Sequence, residues 1–349
     1  MPLAIYAVTL IVSCGLVLAL TPVAIRLGEQ RGWVAVPGGR RKHEGRISRI
    51  GGLPLFPAFA VAALLSLCVP TSDALEVTRL QGVLLSLAVV WGMGFWDDVR
   101  DLPSWAQFLG LLAAGLVAIA FKVFVELFND PFTDRQVHLG WYVMVPLTLL
   151  WLSGMTSTVS VVDGLNGLAA GIAAISALVL FVHMLRLEQY SVAVLPLALL
   201  GCCLGFLPFN FGRARIFLGG GAHLLGFALA ALSIVAGAKV ASALLVVWLP
   251  LVDAVWQVYW RWRNGRPIGL GDRGHLHLRL QDLGWPQVRI VLLYYGVTAT
   301  LGALALGVSS RLLKVAILAG VALATVAFLA LLARRGQRAS GRGVDSESD

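Results

Sequence analysis

Apolar residues along this chain come in blocks and not in alternation. Runs of roughly 17–25 apolar residues recur, each closed by a short stretch of glycine, proline or charge, and that length matches the ~20 residues a helix needs to cross hydrocarbon. The ten-residue alternation of membrane barrel strands is absent. The pattern predicts helices near 3–24, 50–70, 80–96, 105–124, 141–157, 165–183, 191–209, 222–238, 241–259, 289–309 and 312–333. This describes an all-α polytopic integral membrane protein, a bundle of ten or eleven transmembrane helices, with 141–183 the hardest region to divide. The first block has no small-residue cleavage signature and reads as a retained helix. Residues 1–333 form one transmembrane domain, and the polar, Gly- and Ser-containing 334–349 reads as a disordered cytoplasmic tail.

Composition agrees with the pattern. The chain is 58% hydrophobic and 13% charged, about half the charged share of a soluble domain. Cys14, Cys68, Cys202 and Cys203 lie inside apolar runs without metal-ligand spacing and read as packing residues. The net charge of +9 would suit nucleic acid in a soluble protein, but here its distribution matters more. With eleven spans, 20 of the 27 Lys and Arg residues fall on one side of the membrane. The positive-inside rule makes that side cytoplasmic, with the N-terminus outside and the C-terminus inside the inner (plasma) membrane.

Four polar clusters also fall on that side. Asp97-Asp98 ends an apolar run, which suits either a metal- or cation-assisted site or a solvated helix end. Asp163, in Ser157-x-x-Ser160-x-x-Asp163-Gly164-x-Asn166-Gly167, stands among glycines that let backbone approach a ligand, or that make an ordinary turn. Asn210 and Arg213 precede Gly219-Gly220-Gly221, a phosphate cradle or a flexible basic loop. Asp272-Arg273-Gly274-His275-Leu276-His277 suits an anionic ligand, and its i, i+2 histidine spacing is poor for zinc. Asp253 lies about six residues inside its run and faces the bundle interior, as a site residue or as half of an ion pair. Lys42, in a basic first loop, would attract lipid headgroups or phosphorylated substrates, or only signal topology.

Taken in order, Thr21-Pro22, Gly51-Gly52, Asp97-Asp98, DGLNGLAAG, FLPFNFGRARIF, LPLVDA and GDRGHLHLRL make the chain resemble the polyprenyl-phosphate N-acetylhexosamine-1-phosphate transferases. These are membrane enzymes of glycosyltransferase 4 type, and DRGHLH is closer to the UDP-N-acetylglucosamine branch than to the peptidoglycan translocase branch. The resemblance implies transfer of an N-acetylhexosamine-1-phosphate from a UDP-amino-sugar to undecaprenyl phosphate at the cytoplasmic face, with release of UMP. It implies magnesium as cofactor and membrane lipids as surroundings, no nucleic acid, and leaves a homodimer open. It makes Asp97, Asp98 and Asp163 catalytic. Lys42, Asn166, Asn210, Arg213, Asp253, Arg273, His275 and His277 become substrate-binding, and Asp98 and Ser160 the metal positions.

The departures from the family pattern cluster at the site. Ser157 and Ser160 stand where the family has asparagine, and Asn166 where it has a second aspartate. Gly220 stands where it has a magnesium-binding aspartate, and the histidine motif has lost one member. Loss of magnesium affinity is the direct expectation. The alternative to the enzyme is a catalytically silent paralogue that binds polyprenyl phosphate or partner envelope enzymes. A transporter is disfavoured, because the polar residues gather on one face and not at the midplane.

Overall fold

A computed structural model describes residues 2–35, 45–71, 73–129, 136–237, 247–265, 274–308 and 310–344. Its helices are α1 (Pro2–Arg31), α2 (Leu55–Ala63, continued by a 3₁₀ turn Leu64–Cys68), α3 (Glu76–Arg100), α4 (Ser104–Ala120), α5 (Trp141–Val162) and α6 (Leu168–Arg186). They continue with α7 (Tyr190–Asn210), α8 (Gly221–Val235), α9 (Trp248–Arg263), the short α10 (Leu276–Asp282), α11 (Gln287–Gly307) and α12 (Arg311–Val344). Two antiparallel pairs complete it: β1 (Val34–Ala35) with β2 (Ile47–Ser48), and β3 (Leu127–Asn129) with β4 (Gln136–His138). Among the described residues, seven helices are long and apolar enough to span a membrane and three more are shorter and apolar. The chain is an all-α, multi-pass membrane protein. The difficult 141–183 stretch divides at a turn over Asp163–Gly167.

Helices that are apolar all round belong in the middle of a bundle. α7 is the most buried of the seven and α6 follows, whereas α1 and α12 are largely exposed on the outside. Hydrophobic burial does not drive helix association inside lipid; close van der Waals packing does. The Gly201-x-x-x-Gly205 stripe of α7 supplies it, since a Cβ there would lie 1.9 Å from Ser13 Oγ and 2.6 Å from the Cys14 carbonyl of α1. Several buried hydroxyls bond within their own helices, as in Ser13 to the Thr9 carbonyl (2.8 Å) and Thr156 to the Leu152 carbonyl (2.6 Å).

One end of this bundle gathers the C-terminal ends of α1, α3, α5 and α7 and the N-terminal ends of α2, α4, α6, α8 and α11. The segment after β2 is tied there to the one before α8: Phe217 N–H donates to the Ser48 carbonyl (2.9 Å) and Gly51 N–H to the Phe217 carbonyl (3.0 Å). The four polar clusters meet at this end.

Candidate active site

The first turn of a helix has N–H groups with no partner in the helix, and a carboxylate placed there satisfies them. Asp98, buried in the last turns of α3, does this for α8: Gly220 N–H lies 3.0 Å from both of its oxygens. The approach requires glycine on both sides. A Cβ on Gly220 would sit 2.3–2.4 Å from the backbone O, C and Cα of Gly94, one turn before Asp98. Arg49 lies close enough for its charge to act on Asp97 and Asp98, and it pairs with Asp101 at 2.6 Å. That hydrogen bond holds the Arg49 guanidinium above its ordinary range, so it stays cationic. Asp97 is engaged differently. Its Oδ1 accepts Leu102 N–H (2.8 Å) and Gln107 Nε2–H (3.0 Å), closing the bend between α3 and α4.

Asp163 ends α5 and lies within electrostatic reach of Asp98. The turn after it is stapled to the α7–α8 connection by two side-chain amides. Asn166 Nδ2 donates to the Gly212 carbonyl (2.7 Å). Asn210 Oδ1 accepts Gly167 N–H (2.8 Å), and its Nδ2 donates to the Ile216 carbonyl (2.9 Å). Tyr295 of α11 adds a hydroxyl bond to the Gly167 carbonyl (2.5 Å). Each of these asparagines therefore has amide groups committed to the backbone that shapes the site. Ser160 Oγ lies 3.4 Å from Nε2 of His223, whose Nδ1 is buried with no hydrogen-bond partner among the described residues.

The third group is built on α9 and α10. Asp253 is 1% exposed; its Oδ1 accepts Leu276 N–H (2.9 Å) and its Oδ2 accepts His275 Nδ1–H (3.2 Å). A carboxylate can only accept, so this bond requires a proton on His275 Nδ1. His277 Nδ1 is 3.9 Å from the same oxygen, and the two imidazoles stack at 5.8 Å between centroids. His277 also reaches the Asp163 turn: a Cβ on Gly164 would be 2.5 Å from its Nε2. The histidine pair and the Asp163 turn are therefore in direct contact.

The structure thus joins Asp98, Asp163, Ser160, Asn166, Asn210, Asp253, His275 and His277 at one end of the bundle, with Asp97 beside them. Arg213 is exposed on the loop between Asn210 and Ile216. Lys42 and Arg273 lie outside the described residues. Three contributors escaped the sequence reading as site residues: Arg49, counted only as a loop charge, His223, read only as a poor magnesium ligand, and Gln257. A glutamine four residues after Asp253 on one helical face was the available signal for the last.

Magnesium takes near-octahedral oxygen ligands, usually one or two carboxylates completed by phosphate oxygens and water. Asp98 and Asp163 have the right chemistry. However, Asp97 is tied into the α3–α4 bend and Asp98 into the α8 N-terminus, Ser160 lies against an imidazole, and position 220 has no room for a carboxylate. Among the described residues, no group of three or more His, Cys, Asp or Glu is placed to hold an ion. The residues present do not fit a magnesium ion held by the α8 loop.

Residues 80–237 match the model of the glycosyl transferase family 4. The chain is 30% identical over 295 residues to the probable undecaprenyl-phosphate N-acetylglucosaminyl 1-phosphate transferase of Bacillus subtilis, covering 82% of this chain and 80% of that protein. It is 32% identical over 342 residues to the decaprenyl-phosphate N-acetylglucosaminephosphotransferase of Mycobacterium tuberculosis, covering 89% and 85%. A phospho-N-acetylmuramoyl-pentapeptide-transferase of Listeria welshimeri is 31% identical over 277 residues, covering 74% and 83%.

Proposed function

The chain belongs to glycosyl transferase family 4, and from that membership we propose that it transfers an N-acetylhexosamine-1-phosphate from a UDP-sugar to a polyprenyl phosphate at the cytoplasmic face. A phosphate oxygen of the lipid bonds to the β-phosphorus of the nucleotide, the α–β anhydride bond breaks, and UMP leaves with that bridging oxygen. The observation that carries this reading is the contact of the Asp163 turn with the Asp253–His275–His277 group, beside Asp98 and Arg49. A carboxylate that can take a proton thus adjoins donors suited to a diphosphate.

The roles follow from what each group can do. Asp163 is the residue proposed to accept a proton from the lipid phosphate, being less enclosed than Asp98. Asp98 holds the α8 N-terminus in place. His275, as an imidazolium whose Nδ1–H is held by Asp253, donates Nε2–H to the diphosphate beside His277, and such donors are worth most where charge develops. Arg49 offsets part of the negative charge of two anionic substrates, and Lys42 and Arg213 would meet them first.

One observation favours a second reading. The Gly94–Gly220 contact shuts the place where a carboxylate would stand, as expected of a catalytically silent paralogue that keeps the binding groups. Purified protein given UDP-N-acetylglucosamine with labelled sugar phosphate, undecaprenyl phosphate and magnesium separates the two. Transfer that disappears in Asp163→Asn supports the enzyme. Binding of UDP-N-acetylglucosamine without transfer would establish the silent form.

A further inference from the structure

α9 carries a buried polar ladder, Asp253, Gln257 and Arg261, at i, i+4 and i+8; the first two are each 1% exposed. A side-chain amide this buried is costly unless both halves are bonded. One half is: Gln257 Nε2 donates to the Gly274 carbonyl, the residue before His275. A carbonyl only accepts, so this bond settles which way the amide faces. It turns Oε1 away from Gly274, where that oxygen is buried and has no hydrogen-bond partner among the described residues.

We propose that Gln257 Oε1 is a specificity-determining acceptor that takes an N–H or O–H donor from the hexose of the sugar nucleotide. The inference rests on the reading that His275 and His277 hold the diphosphate. In that arrangement the hexose, one bond from the β-phosphate, is the donor-bearing group nearest to the residue that tethers Gly274. Sugars carry such donors as ring hydroxyls or as an acetamido N–H; the phosphates between them and the base carry only acceptors at neutral pH. The donors of UDP itself, the ribose hydroxyls and uracil N3–H, lie on the far side of the diphosphate in that arrangement, so the bare nucleotide does not make this bond.

Calorimetric binding of UDP and of UDP-N-acetylglucosamine to detergent-purified protein tests this, in wild type and in the near-isosteric Gln257→Met. The expected result is that the affinity advantage of the UDP-sugar over UDP falls about three- to tenfold in the variant, the worth of one buried hydrogen bond. UDP binding serves as the internal check on folding. Parallel loss for both ligands would overturn the proposal and leave Gln257 as a positioning residue for the histidine segment, and an unchanged ratio would also overturn it. A wild-type protein that binds neither ligand would refute the functional reading itself, which is a different failure.

Discussion

The contact between Gly94 of α3 and Gly220 before α8 makes a sharp prediction about restoring a carboxylate there. By sequence, Gly220→Asp looks like a repair of the metal site. By geometry it is a steric fault, because the first atom added would sit 2.3–2.4 Å from the Gly94 backbone. Backbone cannot rotate aside as a flexible side chain can, so α3 and α8 must separate or the variant must tolerate strain. Overpacking of a closed contact costs typically about 1–3 kcal/mol, and separation would also stretch the bond from Gly220 N–H to Asp98. Gly92→Ala, two residues earlier on α3 and facing open space, is the matched control. It exchanges glycine for the best helix former and should be neutral or gain up to about 1 kcal/mol. Thermal unfolding in detergent, followed by tryptophan fluorescence, should rank Gly92→Ala at or above wild type, with Gly220→Ala below it by several degrees. Gly220→Asp should be lower still and should not be rescued by magnesium. If Gly220→Ala melts with wild type, or if magnesium raises the midpoint of Gly220→Asp by itself, the closed-contact argument is wrong.

Other perturbations test the remaining parts of the site. Asp98→Ala removes the acceptor for Gly220 N–H and should cost about 1–2 kcal/mol by thermal unfolding, as loss of a helix cap does; Asp98→Asn should recover part of it. Asn210→Ala abandons two buried backbone partners at once, and at about 1–3 kcal/mol for each unsatisfied group it should be among the most destabilising single changes. Asp253→Ala leaves His275 Nδ1 and Leu276 N–H without their acceptor, so UDP-sugar affinity measured by calorimetry should drop at least tenfold. Gly164→Ala pushes a methyl group against the His277 ring; it should reduce transfer or UDP binding while leaving the melting midpoint near that of wild type.

The membrane class and the all-α architecture were legible because block length in an apolar chain is set by bilayer thickness, a constraint that needs no tertiary knowledge. The reading of ten or eleven spans compares with seven helices of spanning length and three shorter apolar ones among the described residues. The meeting of four clusters at one end was legible for a related reason. Alternating crossings put every second loop on the same side, and residues 100, 163, 213 and 275 all fall near such loops. What each residue does inside the cluster was not legible. Asn166 and Asn210 have the polarity of ligand-binding residues, yet their amides are committed to Gly212, Gly167 and Ile216, because the Asp163 turn could not otherwise hold its shape. Adjacent Asp97 and Asp98 look like one motif. Successive positions on a helix point about 100° apart, however, so one carboxylate closes the α4 bend while the other caps α8.

The glycines show the limit most clearly. In the sequence, Gly220 reads as a missing carboxylate, a hole in a metal site. In the structure there is no hole, because Gly94 approaches until backbone meets backbone and Asp98 bonds the freed N–H. Loss of a ligand and formation of a helix contact are here one event, and neither Gly94 nor Gly220 signals it alone. If the carboxylate is gone because the helices closed, restoring function to position 220 takes two changes and not one. Displacing α3 from α8 at Gly94 must accompany any new side chain, and the single substitution then measures packing before it measures chemistry.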